Sequence, residues 1–149
     1  MRGAARPWLL AGALCAAVLA ADQVAKSVVE GRLYPGEQVD VLGPLSLTLA
    51  HNTGVAFGIA GDGGGLLVAF ALGSLGFIGW LFSRDPTRPW MWVAVGLLAG
   101  GALGNLADRI RADAVTDYVD IFSWPPFNLA DVSITVGVLL LALSLTGER

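Results

Sequence analysis

The sequence predicts an all-α membrane protein with four transmembrane helices and a small periplasmic or extracytoplasmic β-segment laid over one end of them. Three observations lead there. The 149-residue chain is 55% hydrophobic and only 14% charged, whereas a soluble domain carries roughly 25% charge. Four apolar, uncharged runs divide it, and spanning roughly 30 Å of hydrocarbon takes about 20 such residues. Between the first two runs the helical pattern yields to turn residues and a two-residue alternation, which is the pattern of a strand.

The spans, taken in order, are expected at about 7–29, 64–83, 89–108 and 129–147, with an outer β-segment at about 33–60, all within one membrane-embedded domain of residues 1–149. The uncharged run Pro7 to Ala21 covers only about 23 Å as a helix, so Asp22 is drawn toward hydrocarbon depth. A cleaved secretory leader is the rival reading of this segment, because Arg2 and Arg6 precede a Leu/Ala-rich run that ends near Ala21. Leu14 is too large to stand before a lipidated Cys15, so Cys15 makes no lipobox and a retained span is preferred. Cys15 is also the only cysteine, and it reads as a small apolar side chain in a span.

Gly64 to Ser83 is a full-length second run. Pro89 to Ala107 is the third, opened by a proline where a helix start tolerates one. The fourth, Val132 to Gly147, again covers only about 24 Å, which pulls Asp131 inward. Arg2, Arg6, Arg84, Arg88 and Arg149 fall on one side of these spans, and the positive-inside rule makes that side cytoplasmic, with both termini. Asp85 and Glu148 accompany them, and the other ten of the twelve acidic residues lie toward the outer ends.

The outer segments come next. Pro35-Gly36 and Gly43-Pro44 punctuate a stretch in which Leu45, Leu47 and Leu49 alternate with Ser46, Thr48 and Ala50, as in a small hairpin or sheet on the membrane surface. A second outer segment, Ile110 to Ala130, mixes acids with Phe122, Trp124 and Phe127, residue types suited to the interface. Within it, Val115 to Ile121 is rich enough in β-branched and aromatic residues to be either extended or helical.

Several polar groups at these outer ends need a reason to be there. Asp22 and Lys26 are four apart on one helix face, which fits an ion pair that eases burial of both; Gln23 reads as an interfacial hydrogen-bonding group. Gly100, Gly101 and Gly104 would let another helix approach closely. Asn105, Asp108 and Arg109 share adjoining parts of one face, where ionisable groups point to function; an Asp108–Arg109 pair closing the helix is the alternative. Asp131 stands where a helix enters the membrane, a position that favours a carboxylate. Two carboxylates facing each other in a partly dry site share one proton, so that one serves as base and the other as acid.

Other chemistry finds little support. His51 is the only histidine and no zinc-ligand spacing surrounds it, so neither metal nor cofactor is expected. Ser74 lies mid-span without a base near it in sequence, and there is no phosphate loop or nucleic-acid patch.

Five segments together resemble the lipoprotein signal peptidase (signal peptidase II) family: Asp22-Gln23-Val24-Ala25-Lys26, Asn52-Thr53-Gly54-Val55-Ala56-Phe57-Gly58, Gly100 to Arg109, Val115-Thr116-Asp117-Tyr118 and Phe127-Asn128-Leu129-Ala130-Asp131. The resemblance runs from the first span to the fourth, with Thr116 standing where the family pattern has an aliphatic residue. It implies an aspartic endopeptidase of the bacterial inner membrane that cuts diacylglyceryl-modified prolipoproteins just before the lipidated cysteine. Asp117 and Asp131 would be its catalytic pair. Asp22, Lys26, Asn52, Gly54, Asn105, Arg109 and Asn128 match positions that would support the site or hold substrate. The resemblance further implies that the outer β-segment is a cradle over the active site, and that membrane lipid and a globomycin-type inhibitor are partners. The rival readings are a four-span proton or ion translocator using the same carboxylates, and an assembly subunit with interface glycines, which leaves the outer acids unexplained.

Overall fold

The computed structural model describes residues 2–54, 63–122 and 124–147. Among these residues four helices, α1 (Arg2–Glu30), α2 (Gly63–Arg84), α3 (Met91–Ala112) and α4 (Leu129–Thr146), are interleaved with three strands, β1 (Gln38–Leu42), β2 (Leu45–Asn52) and β3 (Val115–Ile121). All four helices are long and apolar enough to cross a membrane. With the exposed apolar side chains of α2, such as Phe70, Phe77 and Trp80, they make a multi-pass membrane protein whose exterior suits lipid.

α3 is the central helix and buries its small residues against α1 and α4. A Cβ on Gly100 would stand 2.7 Å from Val18 Cβ, and one on Gly101 would stand 2.5 Å from Ala130 O. Both distances are shorter than van der Waals contact, so the absence of a side chain is what lets these backbones approach. The expected helix-packing role of the glycine stripe therefore applies to two neighbours at once. At the far end of the bundle Ala11, Phe82, Met91 and Val95 form an apolar cluster, beside which the Trp8 and Phe82 rings lie 4.5 Å apart. The third helix starts at Met91, two residues later than Pro89, because Trp90 takes a left-handed conformation (φ 62°) ahead of it. Pro89 belongs to the preceding turn.

The strands form one antiparallel sheet in the order β1-β2-β3. β3 resolves the ambiguity of residues 115–121 in favour of extension: alone they could adopt either state, but β2 supplies the ladder, pairing Ala50 with Asp117 and Asn52 with Val115. The alternation along β2 does not separate a wet face from a dry one. Ser46 and Thr48 are buried along with Leu49, and Gln38 Nε2 reaches across to donate to Ser46 Oγ at 2.7 Å. Val29, Leu49 and Tyr118, flanked by Leu47 and Leu129, pack the sheet onto the ends of α1 and α4. Motif residues 55–58, and the end of the expected β-segment at 60, lie outside the described residues.

Candidate active site

The site forms where the sheet meets the ends of α1, α3 and α4. Beyond β3 the chain folds back on itself. Val119 N donates to Phe127 O at 2.8 Å and Phe127 N donates to Val119 O at 3.0 Å, which brings Asn128 beside Asp117. Asn128 is then the N-cap of α4: its Oδ1 accepts from Asp131 N at 2.9 Å, while its own N donates to Asp131 Oδ2 at 3.2 Å. This reciprocal capping box fixes the Asp131 carboxyl as well as the helix start.

Three carboxamides hold the two carboxyls. Asp117 Oδ1 accepts from Asn128 Nδ2 at 2.7 Å and Asp117 Oδ2 from Asn52 Nδ2 at 3.0 Å. Asp131 Oδ1 accepts from Asn105 Nδ2 at 2.8 Å. In each amide the oxygen is already occupied by a donor of its own. Gly54 N donates to Asn52 Oδ1 at 2.9 Å, Lys26 Nζ to Asn105 Oδ1 at 3.0 Å, and Asp131 N to Asn128 Oδ1. An amide presents one acceptor and one donor end, so occupying the oxygen directs each NH2 group onto a carboxylate. Gly54 can make its contribution because it adopts φ +74°, a conformation that other residues rarely enter.

Behind this layer lies a buried ionic core. Lys26 Nζ stands 2.8 Å from Asp22 Oδ2 and 2.7 Å from Asp108 Oδ2. Asp22, fully buried, also accepts from Ala130 N at 3.0 Å, which ties α1 to the first turn of α4. Gly104 makes room for it, since a Cβ there would lie 2.6 Å from Asp22 Oδ2. Asp108 thus pairs with Lys26 and not with Arg109. Gln23 does more than the interfacial role expected of it: its Nε2 donates to Asp108 Oδ1 at 2.9 Å, and its Oε1 accepts from Arg111 at 2.6 Å.

The surroundings act on the Asp117 carboxyl in both directions. Burial pushes the Asp117 carboxyl from 3.8 up to about 6; Asn52 and Asn128 pull it down by donating to the ionised form, as does the Lys26 charge, while the Asp131 charge adds to the rise. Asp117 is 3% exposed, and Asp131 is half-buried. A carboxyl with a value near neutrality can gain and lose a proton under working conditions, as acid–base chemistry requires.

An apolar cavity of about 500 Å³ opens between α2, α3 and α4, lined by Leu67, Phe70, Leu98 and Ile134, and its wall includes Arg109 and Asn105, the amide that donates to Asp131. Arg109 is held by a bond to Asn105 O at 3.4 Å. Among the described residues no group of three or more His, Cys, Asp or Glu could hold a metal ion.

Of the residues singled out from the sequence, Asp117, Asp131, Asn52, Asn105 and Asn128 are thus joined directly, Gly54 orients one of them, Asp22 and Lys26 lie one layer behind, and Arg109 borders the cavity. No role was legible in the sequence for Glu30 or for Tyr118, whose hydroxyl accepts from Leu129 N at 3.3 Å. Only their partners across the fold reveal them. Asp108 was signalled by its spacing from Asn105, though its partner was not.

Two solved structures described as bacterial membrane enzymes share this architecture. One matches with a TM-score of 0.86 at 29% identity, covering 93% of this chain and 94% of the other; the second gives a TM-score of 0.82, also at 29% identity, over 93% and 92% of the two chains. Fold and site together therefore define a polytopic membrane enzyme with its polar centre at one end of a four-helix bundle. The sequence comparisons narrow the class. A profile of the family Signal peptidase (SPase) II matches residues 14–146. The lipoprotein signal peptidase of Moorella thermoacetica is 39% identical over 93% of this chain and 92% of its own length, and that of Caulobacter vibrioides is 40% identical over 90% and 84%. A further relative of the same name from Pseudomonas fluorescens is 41% identical over 95% and 91%. The chain belongs to the signal peptidase II family and is a peptidase.

Proposed function

We propose that this single membrane-embedded domain is an aspartic endopeptidase that removes signal peptides from diacylglyceryl-modified prolipoproteins, cleaving just before the lipidated cysteine. The observation that carries this reading is the pair of carboxyls aimed by three oriented carboxamides beside an apolar cavity. The cavity offers apolar surface to the acyl chains or to the apolar stretch of the signal peptide, and burying such chains supplies binding energy. Arg109 and Asn105 offer polar contacts in the cavity wall. A substrate anchored by lipid diffuses in the plane of the membrane, which fits a site at the interfacial end of the bundle. By the distribution of arginines this is the outer face of a bacterial cytoplasmic membrane, with both termini in the cytoplasm.

In the reaction, Asp117 and Asp131 share one proton. The ionised member takes a proton from a water whose oxygen adds to the scissile carbonyl carbon, while the protonated member gives its proton to the carbonyl oxygen. The tetrahedral intermediate collapses with cleavage of the C–N bond. In that collapse the former base returns its proton to the leaving nitrogen of the lipidated cysteine, while the former acid, now ionised, takes the proton of one hydroxyl of the intermediate. The C=O re-forms, the pair regains its single proton and the signal peptide departs with a new carboxyl terminus. The carboxamides stabilise ionised carboxylates without adding a net positive charge, so one proton can remain on the pair. No cofactor enters these steps. A globomycin-type cyclic peptide would compete for the same cavity.

The test is a mobility-shift assay with the purified chain in lipid. A diacylglyceryl-modified prolipoprotein should be shortened, its unacylated counterpart should not, and globomycin should stop the reaction. Equal cleavage of the unacylated form would remove the lipid requirement, and no cleavage of either by folded protein would remove the activity.

A further inference from the structure

Thr116, immediately before Asp117, is anchored at three points. Its N donates to Asp108 Oδ2 at 3.4 Å, its O accepts from Asn128 Nδ2 at 3.3 Å, and its Oγ1 donates to Glu30 Oε1 at 2.6 Å. The first two anchors belong to the network already described. The third reaches out of it, to the last residue of α1. We propose that the Glu30–Thr116 bond is a positioning contact that sets the orientation of Asp117; this rests on Asp117 being half of the hydrolytic pair.

Three features of the structure support it. Successive side chains of a strand point to opposite faces, so a hold on the Thr116 side chain opposes rotation of β3 about its axis, the motion that would swing Asp117 away from Asn52 and Asn128. The sheet does not supply that hold unaided. β3 is an edge strand whose outer side is bonded to Phe127 only at Tyr118 and Val119, beyond Asp117, and its ladder with β2 is irregular between Leu47 and Ala50, the interval adjoining the partner of Asp117. Finally, the bond is short and charge-assisted, a strong class of hydrogen bond. Thr116 is 4% exposed, so its hydroxyl has little access to water, whereas Glu30 is exposed and keeps its charge solvated.

The test is steady-state cleavage of a diacylglyceryl-modified prolipoprotein by the full chain in lipid, comparing Glu30→Ala, Glu30→Gln, Thr116→Val, Thr116→Ser and the Glu30→Ala/Thr116→Val double variant. Misplacing a catalytic group by about 1 Å can cost on the order of 100-fold in rate. Partial loss of one of several restraints should therefore lower kcat by roughly tenfold in Glu30→Ala and in Thr116→Val, with KM within about twofold of the parent. Glu30→Gln, which keeps an acceptor, should lose less, Thr116→Ser should recover most of the rate, and the double variant should be no slower than the worse single one. Glu30 is at the surface, so its variants remain informative if Thr116→Val does not fold. Unchanged kcat in both Glu30 variants, multiplicative losses in the double variant, or a loss confined to KM would overturn the proposal. Asp117→Asn is assayed alongside. If it still cleaves, the hydrolytic pair is wrong and the positioning role falls with it. If it is inactive while the Glu30 variants run at full rate, the positioning role alone is wrong.

Discussion

Lys26→Met is the perturbation whose consequence the structure defines best. Lys26 is 3% exposed and lies within 2.8 Å of both Asp22 and Asp108, themselves 0% and 10% exposed at the side chain. At an effective dielectric of about 20, each contact is worth roughly 6 kcal/mol of attraction, reduced by desolvation and by repulsion between the two acids. Removing one partner of such a buried group costs about 3–5 kcal/mol, because the charges left behind are uncompensated. The expected loss falls in that range, read as a shift in detergent-denaturation equilibrium followed by tryptophan fluorescence. Methionine matches the stem of lysine, so packing is conserved and the charge is the variable. Adding Asp22→Asn and Asp108→Asn to Lys26→Met should recover most of the lost stability. It should not recover full cleavage, because Asn105 Oδ1 would keep only the Asn128 Nδ2 donor at 3.2 Å and lose the shorter, charged Lys26 donor that helps turn its Nδ2 toward Asp131. Wild-type stability in the single variant, or full activity in the triple one, would refute the reasoning.

Further predictions concern Asp117 and the ionic core behind it. The raised Asp117 carboxyl means that the folded chain retains a proton that the unfolded chain releases between 3.8 and about 6. This group's contribution therefore lowers stability as pH rises through that window. Carbon-13 NMR of Asp117 should show a midpoint near 6, moving down in Asp131→Asn and up in Asn52→Ala; a midpoint unmoved by both would mean that neither neighbour acts on it. Gly104→Ala should destabilise by about 1–3 kcal/mol through overpacking, because its Cβ would press on Asp22 Oδ2. Gly73→Ala, with nothing within 4 Å, should match or exceed the parent in the same denaturation assay, and equal effects at the two positions would deny Gly104 its special role.

Much of this arrangement was legible before the structure. Apolar run length marked four helices, because lipid imposes one requirement on every span. Local patterning also gave the β1–β2 hairpin. The third strand was not legible, since residues 115–121 carry residues compatible with either state and only pairing with β2 decides between them. The same limit applies to the site. Asp117, Asp131 and the asparagines stood out as polar groups in motifs at the ends of apolar runs, but their amide orientations depend on donors far away in sequence, such as Lys26 for Asn105. Asp108 was visible as an ionisable group near the membrane, yet its neighbour Arg109 was the wrong partner to infer. Lys26, 82 residues away, comes within reach only because Gly100 and Gly104 let α1 pack directly on α3.

The central claim is that Asp117 and Asp131 together perform hydrolysis, and single-turnover cleavage by Asp117→Asn and Asp131→Asn tests it most directly. Each variant, purified in lipid and shown to bind a diacylglyceryl-modified prolipoprotein as the parent does, should leave the substrate uncut after many parental half-times. Cleavage at or near the parental rate by either variant would contradict the account.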